Sequence, residues 1–564
     1  MPMIRGGVSN PNGVITRLKG KMMKKTIGKV ICFTLCACFI GASAACSNGG
    51  VNTDGWINES GEEPITLTWY VDLPTFTKRF GDTLTDREIF RHTGVKIEFS
   101  NADSVTGSSK LSTMAMSNQL TDLVSFQCDT ELANQLVTGN FIWSMNDLFG
   151  KYDDVENFLP EDMYKWCTYD DGKLYGLRTH FFGEDIPDDQ FPTNNVMVAS
   201  VELLEKYNLD PQEDFSSMEK LFESCMKVKN GENNPAFIPF FTYTGGQDLA
   251  EYLAIPKETM DGDYQDWLET EEAMDLAVWM NKFYRNGLIS EASLTASKSV
   301  GEVIASQSVF VVCMNYAENQ YKLWDAYLDN GEQYVAIGPV RNENGDDPML
   351  SPWTPNGYLD TCISKNCKDP RRALKLLEFL YSQEGQVLAN FGIENDSYTI
   401  EDGKYYFTNK YYTMDEDEIA DYYGNTWYEA LVSNTPYLRS IEGIPKQDPA
   451  RFTREILDYF SQWSFNSRAF NKIHPTDTRT GLVTTMNSAN QLFNWVEIIT
   501  SQKQGTGDDV AKENILQLYK KQINARNGYK GYDEVKAYYN KQFKANKEKL
   551  GKEYIWPSVI EAHK

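Results

Sequence analysis

Short β-rich runs alternate with helical stretches from residue 65 onward, and this alternation constrains the fold more than any other feature of the chain. Runs rich in β-branched and aromatic residues predict strands at 65–71, 95–99 and 122–126. The intervening stretches predict helices at 85–92, 110–118 and 130–137. Alternation of this length is typical of βαβ units, so we expect a largely parallel sheet covered by helices.

A second set of strands and helices follows the extended run at 194–200. Strands are predicted at 236–241, 308–314 and 333–338, and helices at 201–207, 218–227 and 270–285. The run at 357–364 predicts a strand that returns to the first set, followed by a helix at 370–382 and a mostly helical stretch from 415 to 549. We therefore expect two α/β lobes. The first covers 64–193, the second covers 194–356, and 357–564 returns to the first lobe and adds a mainly helical C-terminal region.

The N-terminal stretch from Lys24 to Cys46 has the build of a secretory signal: lysines, an apolar run at 30–40, and small residues before a cysteine. The apolar run is shorter than the ~20 residues that a membrane-spanning helix needs. Cysteine after Ser-Ala-Ala resembles a bacterial lipobox, in which the thiol is acylated and becomes the mature N-terminus. We expect residues 1–45 to be an upstream extension and lipoprotein signal peptide, with translation beginning at Met22 or Met23. Residues 46–63 then form a flexible tether. A plain signal peptide cut after Ala45 is the alternative.

The charge of the chain argues against two classes of partner. Seven of the 54 basic residues and none of the 80 acidic residues precede Cys46, so the chain from Cys46 onward carries a formal net charge of −33. Such a surface repels phosphate backbones and anionic lipid headgroups, which disfavours nucleic acid as a partner. We expect a monomer whose contact with the membrane is the lipid on Cys46.

Enzyme signatures are weak throughout the sequence. The four histidines lie far apart and lack metal-ligand spacing, and there is no nucleophile elbow, phosphate-binding loop or dinucleotide fingerprint. A glycosidase needs only two carboxylates, so that class stays open at this stage. We expect no catalytic residues, no metal and no cofactor. A disulfide between Cys362 and Cys367 also stays open.

Several stretches, taken in order, resemble the extracellular solute-binding proteins of bacterial ABC importers. DREIFRHTGVKIEF (86–99), DGKLYGLR (171–178) and MNKFYRNGLIS (280–290) are similar to family segments, and the most specific match is 368–404 with its Gly-Ile-Glu turn. Within the family, the resemblance is to large oligosaccharide-binding lipoproteins of Gram-positive type. It implies a two-lobed, type II periplasmic-binding-protein-like fold with a hinge between the lobes.

The sequence departs from this family at two places. Many members carry an aspartate-rich calcium loop before a second-lobe strand, where this chain reads KNGENNPAFIPFF (229–241). Glu232, Asn233 and Asn234 are a poor oxygen supply for Ca²⁺, so we do not expect calcium there. The stretch ASVELLEKYNL (199–209) also lacks the tryptophan found at the entry to the second lobe in relatives.

Candidate ligand-binding residues lie at strand ends and on one loop, because sugar sites combine aromatic faces with planar polar groups in a cleft. Trp353 is the leading candidate, since it lies on a proline-punctuated loop before a strand that joins the lobes. The candidates are Trp353, Asn356, Asn315, Tyr316, Trp69, Tyr70, Asp72, Arg178 and Tyr243. The later residues Trp427, Trp463 and Trp495 could also line the cleft, although core packing is the commoner fate of such side chains.

The resemblance implies a function as well as a fold. An open and a closed arrangement of the lobes exchange, and a ligand that contacts both lobes favours the closed form. We therefore expect the chain to capture a carbohydrate, an oligosaccharide in particular, and to deliver it to ABC-transporter permease subunits at the outer face of the cell membrane. A peptide-binding subunit of the same fold and a secreted glycoside hydrolase are the alternatives.

The lipid anchor yields the first testable prediction. Cys46→Ala should release or mislocalise the protein without unfolding it, because only the acylated thiol holds it to the membrane. Labelled palmitate should appear in the wild type and be absent from the variant. Label that persists in the variant, or a mature N-terminus mapped elsewhere, would contradict the assignment.

Overall fold

A computed structural model of the chain describes residues 53, 55–102, 107–184, 186, 191–295, 298–352 and 355–564. Cys46 and Trp353 therefore lie outside the described residues. The strands are β1 (Ile65–Val71), β2 (Val95–Asn101), β3 (Leu123–Gln127), β4 (Leu177–Arg178), β5 (Asn195–Ser200), β6 (Ile238–Thr242), β7 (Val309–Asn315), β8 (Tyr334–Ala336), β9 (Leu359–Ile363), β10 (Tyr398–Glu401) and β11 (Lys404–Phe407).

The helices include every one that the sequence predicts up to residue 382. Those before the return strand β9 are α1 (Leu84–Thr93), α2 (Gly107–Met116), α3 (Glu131–Thr138), α4 (Met145–Lys151), α5 (Glu161–Cys167), α6 (Val201–Lys206), α7 (Met218–Gly231), α8 (Leu249–Tyr252), α9 (Glu271–Arg285), α10 (Glu291–Leu294), α11 (Val300–Ala305) and α12 (Tyr316–Asn330). Those after it are α13 (Pro370–Tyr381), α14 (Gln383–Phe391), α15 (Asn409–Thr413), α16 (Glu416–Tyr422), α17 (Tyr428–Leu431), α18 (Thr435–Ile441), α19 (Ala450–Ser461), α20 (Leu482–Asn490), α21 (Trp495–Thr500), α22 (Asp508–Asn527), α23 (Tyr532–Leu550) and α24 (Pro557–Ala562). Within the described ranges, no helix is both long enough and apolar enough to cross a bilayer.

The first lobe is built on a five-stranded sheet in the order β2-β1-β3-β9-β4. Strand β1 runs parallel to β2 and β3, as the βαβ pattern predicts, whereas β9 runs antiparallel to β3 and β4. The prediction of a largely parallel sheet is therefore confirmed, since β1, β2, β3 and β4 run in the same direction. Strand β9 is the exception, because it enters from the second lobe and runs in the opposite direction. The prediction that it returns to the first lobe is confirmed.

The second lobe is built on a four-stranded sheet in the order β6-β7-β5-β8. Strand β6 runs parallel to β7, and β5 runs antiparallel to both β7 and β8. All six residues of β5 are buried, which explains its nearly continuous apolar sequence. Helix α21 and helix α22 of the C-terminal region pack against α9, so the second lobe acquires part of its core from the end of the chain.

Two antiparallel segments connect the lobes. The described parts of the outgoing segment are 178–184, 186 and 191–195, and those of the returning segment are 350–352 and 355–358. Isolated bridges join Phe181 to Asn356 and Thr193 to Pro352. The amide of Tyr358 donates to the carbonyl of Thr179 at 3.0 Å. A further connection runs from α18, which packs on the first-lobe side, to α19, which packs on β5 and β8. These links form the hinge.

The end of the segment predicted as a tether packs against the first lobe. Trp56 makes an edge contact with Phe90 at a centroid separation of 5.6 Å. The Arg372 guanidinium donates to the carbonyl oxygens of Glu63 and Thr93, each at 2.7 Å. Residues 55–63 are therefore held by specific contacts, and most of the remainder of the predicted tether lies outside the described residues.

The cysteines in the described part of the chain are buried and free. They are Cys128, Cys167, Cys225, Cys313, Cys362 and Cys367. Burial raises the pKa of the Cys167 thiol to about 11 and that of Cys367 to about 12. The disulfide that the sequence left open between Cys362 and Cys367 is not formed, and these thiols act as small apolar side chains.

A buried histidine and a buried glutamate face each other beside the hinge. His180 Nδ1 lies 3.9 Å from Glu429 Oε1, and both residues are at least 95% buried. Burial lowers the pKa of His180 to about 4 and raises the pKa of Glu429 to about 7. The imidazole is therefore neutral near pH 7 and does not offset a charge on the carboxylate.

Glu429 yields a prediction about stability and pH. The pKa of an unfolded glutamate is about 4.3, so the stability that protonated Glu429 contributes is complete below that pH and is lost as the pH rises through about 7. Glu429→Gln should therefore raise the free energy of unfolding by about 3 kcal/mol at pH 8 and by about 1 kcal/mol at pH 5.

Urea unfolding at the two pH values measures this difference. Glu98→Gln, at an exposed position on β2, is the control and should leave stability unchanged at both. An equal gain at pH 5 and pH 8 for Glu429→Gln would show that the titration of this carboxyl is not the cause.

Candidate functional site

A cleft of about 1070 Å³ opens between the lobes. Its first-lobe wall is formed by residues 127–129, which continue from the carboxyl end of β3, and the returning hinge segment contributes 355–358. The opposite wall consists of second-lobe residues, including 264–268, and of C-terminal residues at 465–474 and 490–496. The cleft therefore lies where ligands of open α/β sheets are commonly bound, beyond the carboxyl end of a strand.

Aromatic rings make up much of the lining, mostly on the second-lobe side. Trp267 and Trp495 lie 6.0 Å apart between ring centroids, and the Trp495 indole N–H donates to the carbonyl of Gly245 at 2.9 Å. Trp267 is half-buried, so part of its ring faces the cleft. The lining aromatics are Tyr264, Trp267, Tyr358, Phe465, Phe470, Phe493, Trp495 and Tyr539. Such surfaces suit the C–H faces of a sugar ring.

Side-chain amides form the other large group in the lining. Gln491 and Asn494 are exposed in the cleft, and they flank the half-buried Phe493. The lining amides are Gln127, Gln247, Asn356, Asn471, Asn490, Gln491 and Asn494. An amide offers two N–H donors and a carbonyl acceptor, which matches the mixed donor and acceptor character of hydroxyl groups.

A cluster of charges supports the first-lobe wall. Arg178 Nη1 lies 3.0 Å from Asp129 Oδ2, its Nε lies 2.7 Å from Asp360 Oδ1, and Lys472 Nζ lies 3.1 Å from Asp129 Oδ1. Burial alone would raise the pKa of Asp129, but Arg178 and Lys472 outweigh it and hold that pKa below its usual value. Asp129 is therefore an ionised, fully paired carboxylate.

Asn356 is held from both sides at the hinge. Its backbone carbonyl accepts a hydrogen bond from Arg178 Nη1 at 3.1 Å, and its side-chain Oδ1 accepts one from Arg468 Nε at 2.9 Å. The Arg468 guanidinium also donates to the carbonyls of Phe182 and Pro355. With its Oδ1 occupied by Arg468, Asn356 retains its amide N–H₂ group as a donor for the cleft.

A second ion pair lies in the opposite wall. Arg526 is bound to Asp266, and its Nε donates to Asn490 Oδ1 at 3.1 Å. Arg526 also contacts the hydroxyl group of Tyr532. The carboxylate of Asp266 additionally accepts the backbone N–H of Leu268 at 3.1 Å, which caps the short turn that carries Trp267.

The sequence-predicted residues occupy three kinds of place. Asn356 lines the cleft, and Arg178 lies directly behind it as the partner of Asp129. Trp69 and Tyr70 are fully buried in the first-lobe core, with the Trp69 indole N–H donating to Ser125 Oγ at 2.8 Å. The Tyr70 hydroxyl donates to Asp72 Oδ1 at 3.0 Å, so these three residues make structural contacts around β1.

The remaining candidates lie away from the cleft or outside the described residues. Tyr316 is buried against α19 beside a separate small cavity, and its hydroxyl donates to the carbonyl of Thr453 at 3.0 Å. Asn315 precedes it at the end of β7, and Tyr243 packs against the second-lobe core. Trp353 lies in a stretch that is not described. Of the three later tryptophans, Trp495 lines the cleft, Trp427 is buried in the first-lobe core, and Trp463 packs on Tyr459.

Most of the lining was not predicted from the sequence. The segments around Phe470 and Phe493 come from the C-terminal region. The spacing of apolar residues there predicts helices, but it does not indicate which helix ends lie at the cleft. The one usable signal was the run Asn490, Gln491 and Asn494 beside Phe493 and Trp495, since amides interleaved with aromatics are unusual in a core.

The residues at the position of the family's calcium loop do not fit a calcium ion. The Glu232 carboxylate accepts hydrogen bonds from Lys206 at 2.6 Å and Tyr207 at 2.8 Å, and the Asn234 side-chain oxygen accepts the amide of Ala236. Across the described ranges, no group of three or more His, Cys, Asp or Glu side chains is arranged to hold a metal ion. A Ca²⁺ site needs six to eight oxygens. The Glu232 and Asn234 side-chain oxygens already accept hydrogen bonds from other groups.

A two-lobed α/β fold with a hinge and an interlobe cleft defines a ligand-binding protein of the periplasmic-binding type. The family model for bacterial extracellular solute-binding proteins matches residues 88–391, which is more than half of the chain. The chain belongs to this family of bacterial extracellular solute-binding proteins. A comparison with curated protein sequences finds no match.

Solved structures share the fold at low sequence identity. An HMO-binding, ABC-transporter-associated solute-binding protein from Bifidobacterium longum infantis is 16% identical, with a TM-score of 0.59 over 85% of this chain and 98% of that one. The S. pneumoniae substrate-binding protein FusA, in complex with kestose, is 16% identical, with a TM-score of 0.60 over 86% and 100%. The alginate-binding protein AlgQ2 is also 16% identical, with a TM-score of 0.55 over 86% and 98%.

Proposed function

We propose that this protein captures an oligosaccharide in the interlobe cleft and delivers it to an ABC-transporter permease. The observation that carries the proposal is the composition of the cleft, where eight aromatic and seven amide side chains converge from both lobes and the hinge. Aromatic faces bind the C–H surfaces of sugar rings, and amides bind their hydroxyl groups. The structural neighbours include ABC-transporter-associated binding proteins, one of them solved with kestose.

A glycoside hydrolase is the weaker alternative. Among the described residues, the carboxylates that line the cleft are Asp129 and Asp266. A glycosidase requires a carboxylic acid whose pKa is raised so that it can donate a proton. The pKa of Asp129 is instead lowered, and Asp266 is paired with Arg526. Neither side chain is prepared to act as a general acid, so we propose binding without catalysis.

A peptide ligand is also less well matched. A peptide brings a charged ammonium or carboxylate terminus, or both, and each needs a charged partner in a desolvated site. The ionised side chains of the described lining are already engaged with one another or with neighbouring charged side chains. The amide-rich and aromatic surface favours a ligand with many hydroxyl groups.

The hinge supplies the mechanism. Two antiparallel segments and one further connection join the lobes, so rotation about them changes the width of the cleft without disturbing either sheet. A glycan that contacts residues 127–129 on one side and Trp267 on the other stabilises the closed arrangement. The closed shape is then the form that the permease recognises.

The proposal places the protein outside the cell membrane. Cys46 would carry the lipid anchor, the first lobe would extend over 64–193 and the second over 194–356, and the return segment with the helical region would cover 357–564. The protein would act as a monomer, with permease subunits as its protein partners. The site needs no metal or cofactor.

Removal of the exposed part of the aromatic wall should weaken binding. Trp267→Ala should lower affinity for the bound glycan by about ten- to a hundredfold, equivalent to about 1.4–2.8 kcal/mol. Trp279→Ala is the matched control, since Trp279 is a half-buried tryptophan of the same lobe that packs on Phe222 away from the cleft. Isothermal calorimetry measures the affinity and thermal unfolding reports the stability of each variant. Equal effects of the two substitutions on affinity would contradict a direct role for Trp267.

A ligand screen with product analysis tests the function itself. The protein is titrated with neutral and acidic oligosaccharides and with peptides, and each sample is then analysed for shorter products. Saturable binding of an intact glycan is the expected result. Saturable binding of peptides alone, or steady release of shorter sugars, would instead support the peptide-binding or the hydrolase alternative.

A further inference from the structure

The cleft lining contains equal numbers of acidic and basic side chains, and this affects which glycans can bind. Among the described lining residues, the acidic and basic side chains are Asp129, Asp266, Lys257 and Arg526, two of each sign. Each has an oppositely charged partner, and the formal charge of the four is zero. The composition of the cleft therefore differs from that of the whole chain, which carries a net charge of −26.

Arg526 is the side chain best placed to bind an acidic sugar, and its charge is already offset. Its side chain is 5% exposed and that of Asp266 is 12% exposed, so the two ions lie together in a desolvated wall. Asn490 and Tyr532 also contact the guanidinium, while its Nη1 is buried without a hydrogen-bond partner. A uronate could reach the buried Nη1 only if the wall rearranged. It could engage the paired side of the guanidinium only by displacing Asp266, which would leave a buried aspartate without its partner.

The second basic side chain of the lining is also paired. Lys257 Nζ lies 3.4 Å from Glu251 Oε1, and the Glu251 carboxylate also accepts the backbone N–H of Ser351 at 3.0 Å. On the opposite wall, Asp129 is held between Arg178 and Lys472. No positive charge is left without a carboxylate among the described lining residues.

His474 is the remaining titratable side chain that could carry a positive charge. It is exposed in the cleft and its ring contacts Tyr539 at a centroid separation of 4.9 Å. The surrounding walls still desolvate the imidazole and lower its pKa below the usual value, with the carboxylate of Asp266 opposing this effect only in part. The ring is therefore neutral near pH 7 and can exchange hydrogen bonds with hydroxyl groups.

From this arrangement we infer that the cleft selects uncharged oligosaccharides and rejects those that carry carboxylate, sulfate or phosphate groups. The inference rests on the proposed function and narrows its substrate class. The fold does not decide the question, because the similar structures include both an alginate-binding protein and a protein solved with kestose. Alginate is a polyuronate and kestose is a neutral sugar. An anionic ligand would lose hydration without gaining a free cation, and it would approach a strongly acidic protein.

A matched pair of ligands tests the inference on the full chain. The probes are maltotetraose, cellotetraose, xylotetraose and nystose as neutral glycans, and tetragalacturonate, tetramannuronate and 3′-sialyllactose as acidic ones. For any neutral glycan with a primary hydroxyl that binds, selective oxidation of that group to a carboxylate gives an acidic partner of the same linkage. We expect the oxidised partner to bind at least about tenfold more weakly at pH 7 in calorimetry.

A pair of variants shows whether the paired charges cause the selectivity. Asp266→Asn keeps a side-chain acceptor for the turn but leaves the charge of Arg526 without a carboxylate. The affinity for the oxidised glycan, divided by the affinity for its neutral partner, should therefore rise by about tenfold. Asp263→Asn is the control, because it removes a carboxylate three residues away that pairs with Lys544 outside the cleft. It should leave the ratio unchanged. Thermal unfolding checks that both variants are folded. If Asp266→Asn does not fold, the comparison of neutral and oxidised glycan binding by the wild type still tests the selectivity.

The outcomes separate this inference from the proposed function. Equal or tighter binding of an acidic glycan by the wild type would overturn the inference and leave oligosaccharide capture intact. An unchanged ratio in folded Asp266→Asn would contradict the assigned role of the Arg526 pair. Failure of every glycan to bind, while peptides do bind, would overturn the proposed function and the inference with it.

Discussion

The buried guanidinium of Arg178 is the interaction on which the cleft depends. From β4 it reaches Asp360 on β9, Asp129 beyond the end of β3, and the backbone carbonyl of Asn356 in the hinge. Lys472 then connects Asp129 to the C-terminal region. A buried charge that loses a partner typically destabilises a protein by about 3–5 kcal/mol. This cluster therefore ties the first-lobe sheet to the hinge and, through Lys472, to the C-terminal residues of the opposite wall.

The two sides of the cleft contribute different chemistry. The first-lobe side offers residues 127–129 with their paired charges, whereas most of the aromatic and amide surface belongs to the second lobe and the C-terminal region. The C-terminal helices that pack on α9 also supply Trp495 to the second-lobe core. Ligand binding and the stability of that lobe are therefore coupled through the same segment, because the residues around Trp495 serve both.

Much of the fold could be predicted from local patterns, and most of the site could not. The strands β1, β5, β7 and β9 appear in the sequence as apolar or alternating runs, because the spacing of apolar side chains along neighbouring residues reflects which faces of a strand are buried. The direction of β9 was not predicted, because it depends on the lobe from which the chain arrives. Asn356 was predicted because it lies next to a hinge strand. The positions of Phe470, Trp267 and Arg526 in the cleft were not predicted, because only tertiary contacts bring these distant segments to one surface. Tyr316 was misplaced for the same reason, since α19 covers the end of β7.

The most direct test of this account is a crystal structure of the protein with a neutral oligosaccharide that binds in solution. We expect an intact glycan in the interlobe cleft, with a sugar ring on the Trp267 and Phe493 side and hydroxyl groups hydrogen-bonded to Asn356 and to residues 127–129. The ion pair between Asp266 and Arg526 should remain closed. A glycan bound at another surface, contacts to one lobe alone, or a cleaved product in the cleft would contradict it.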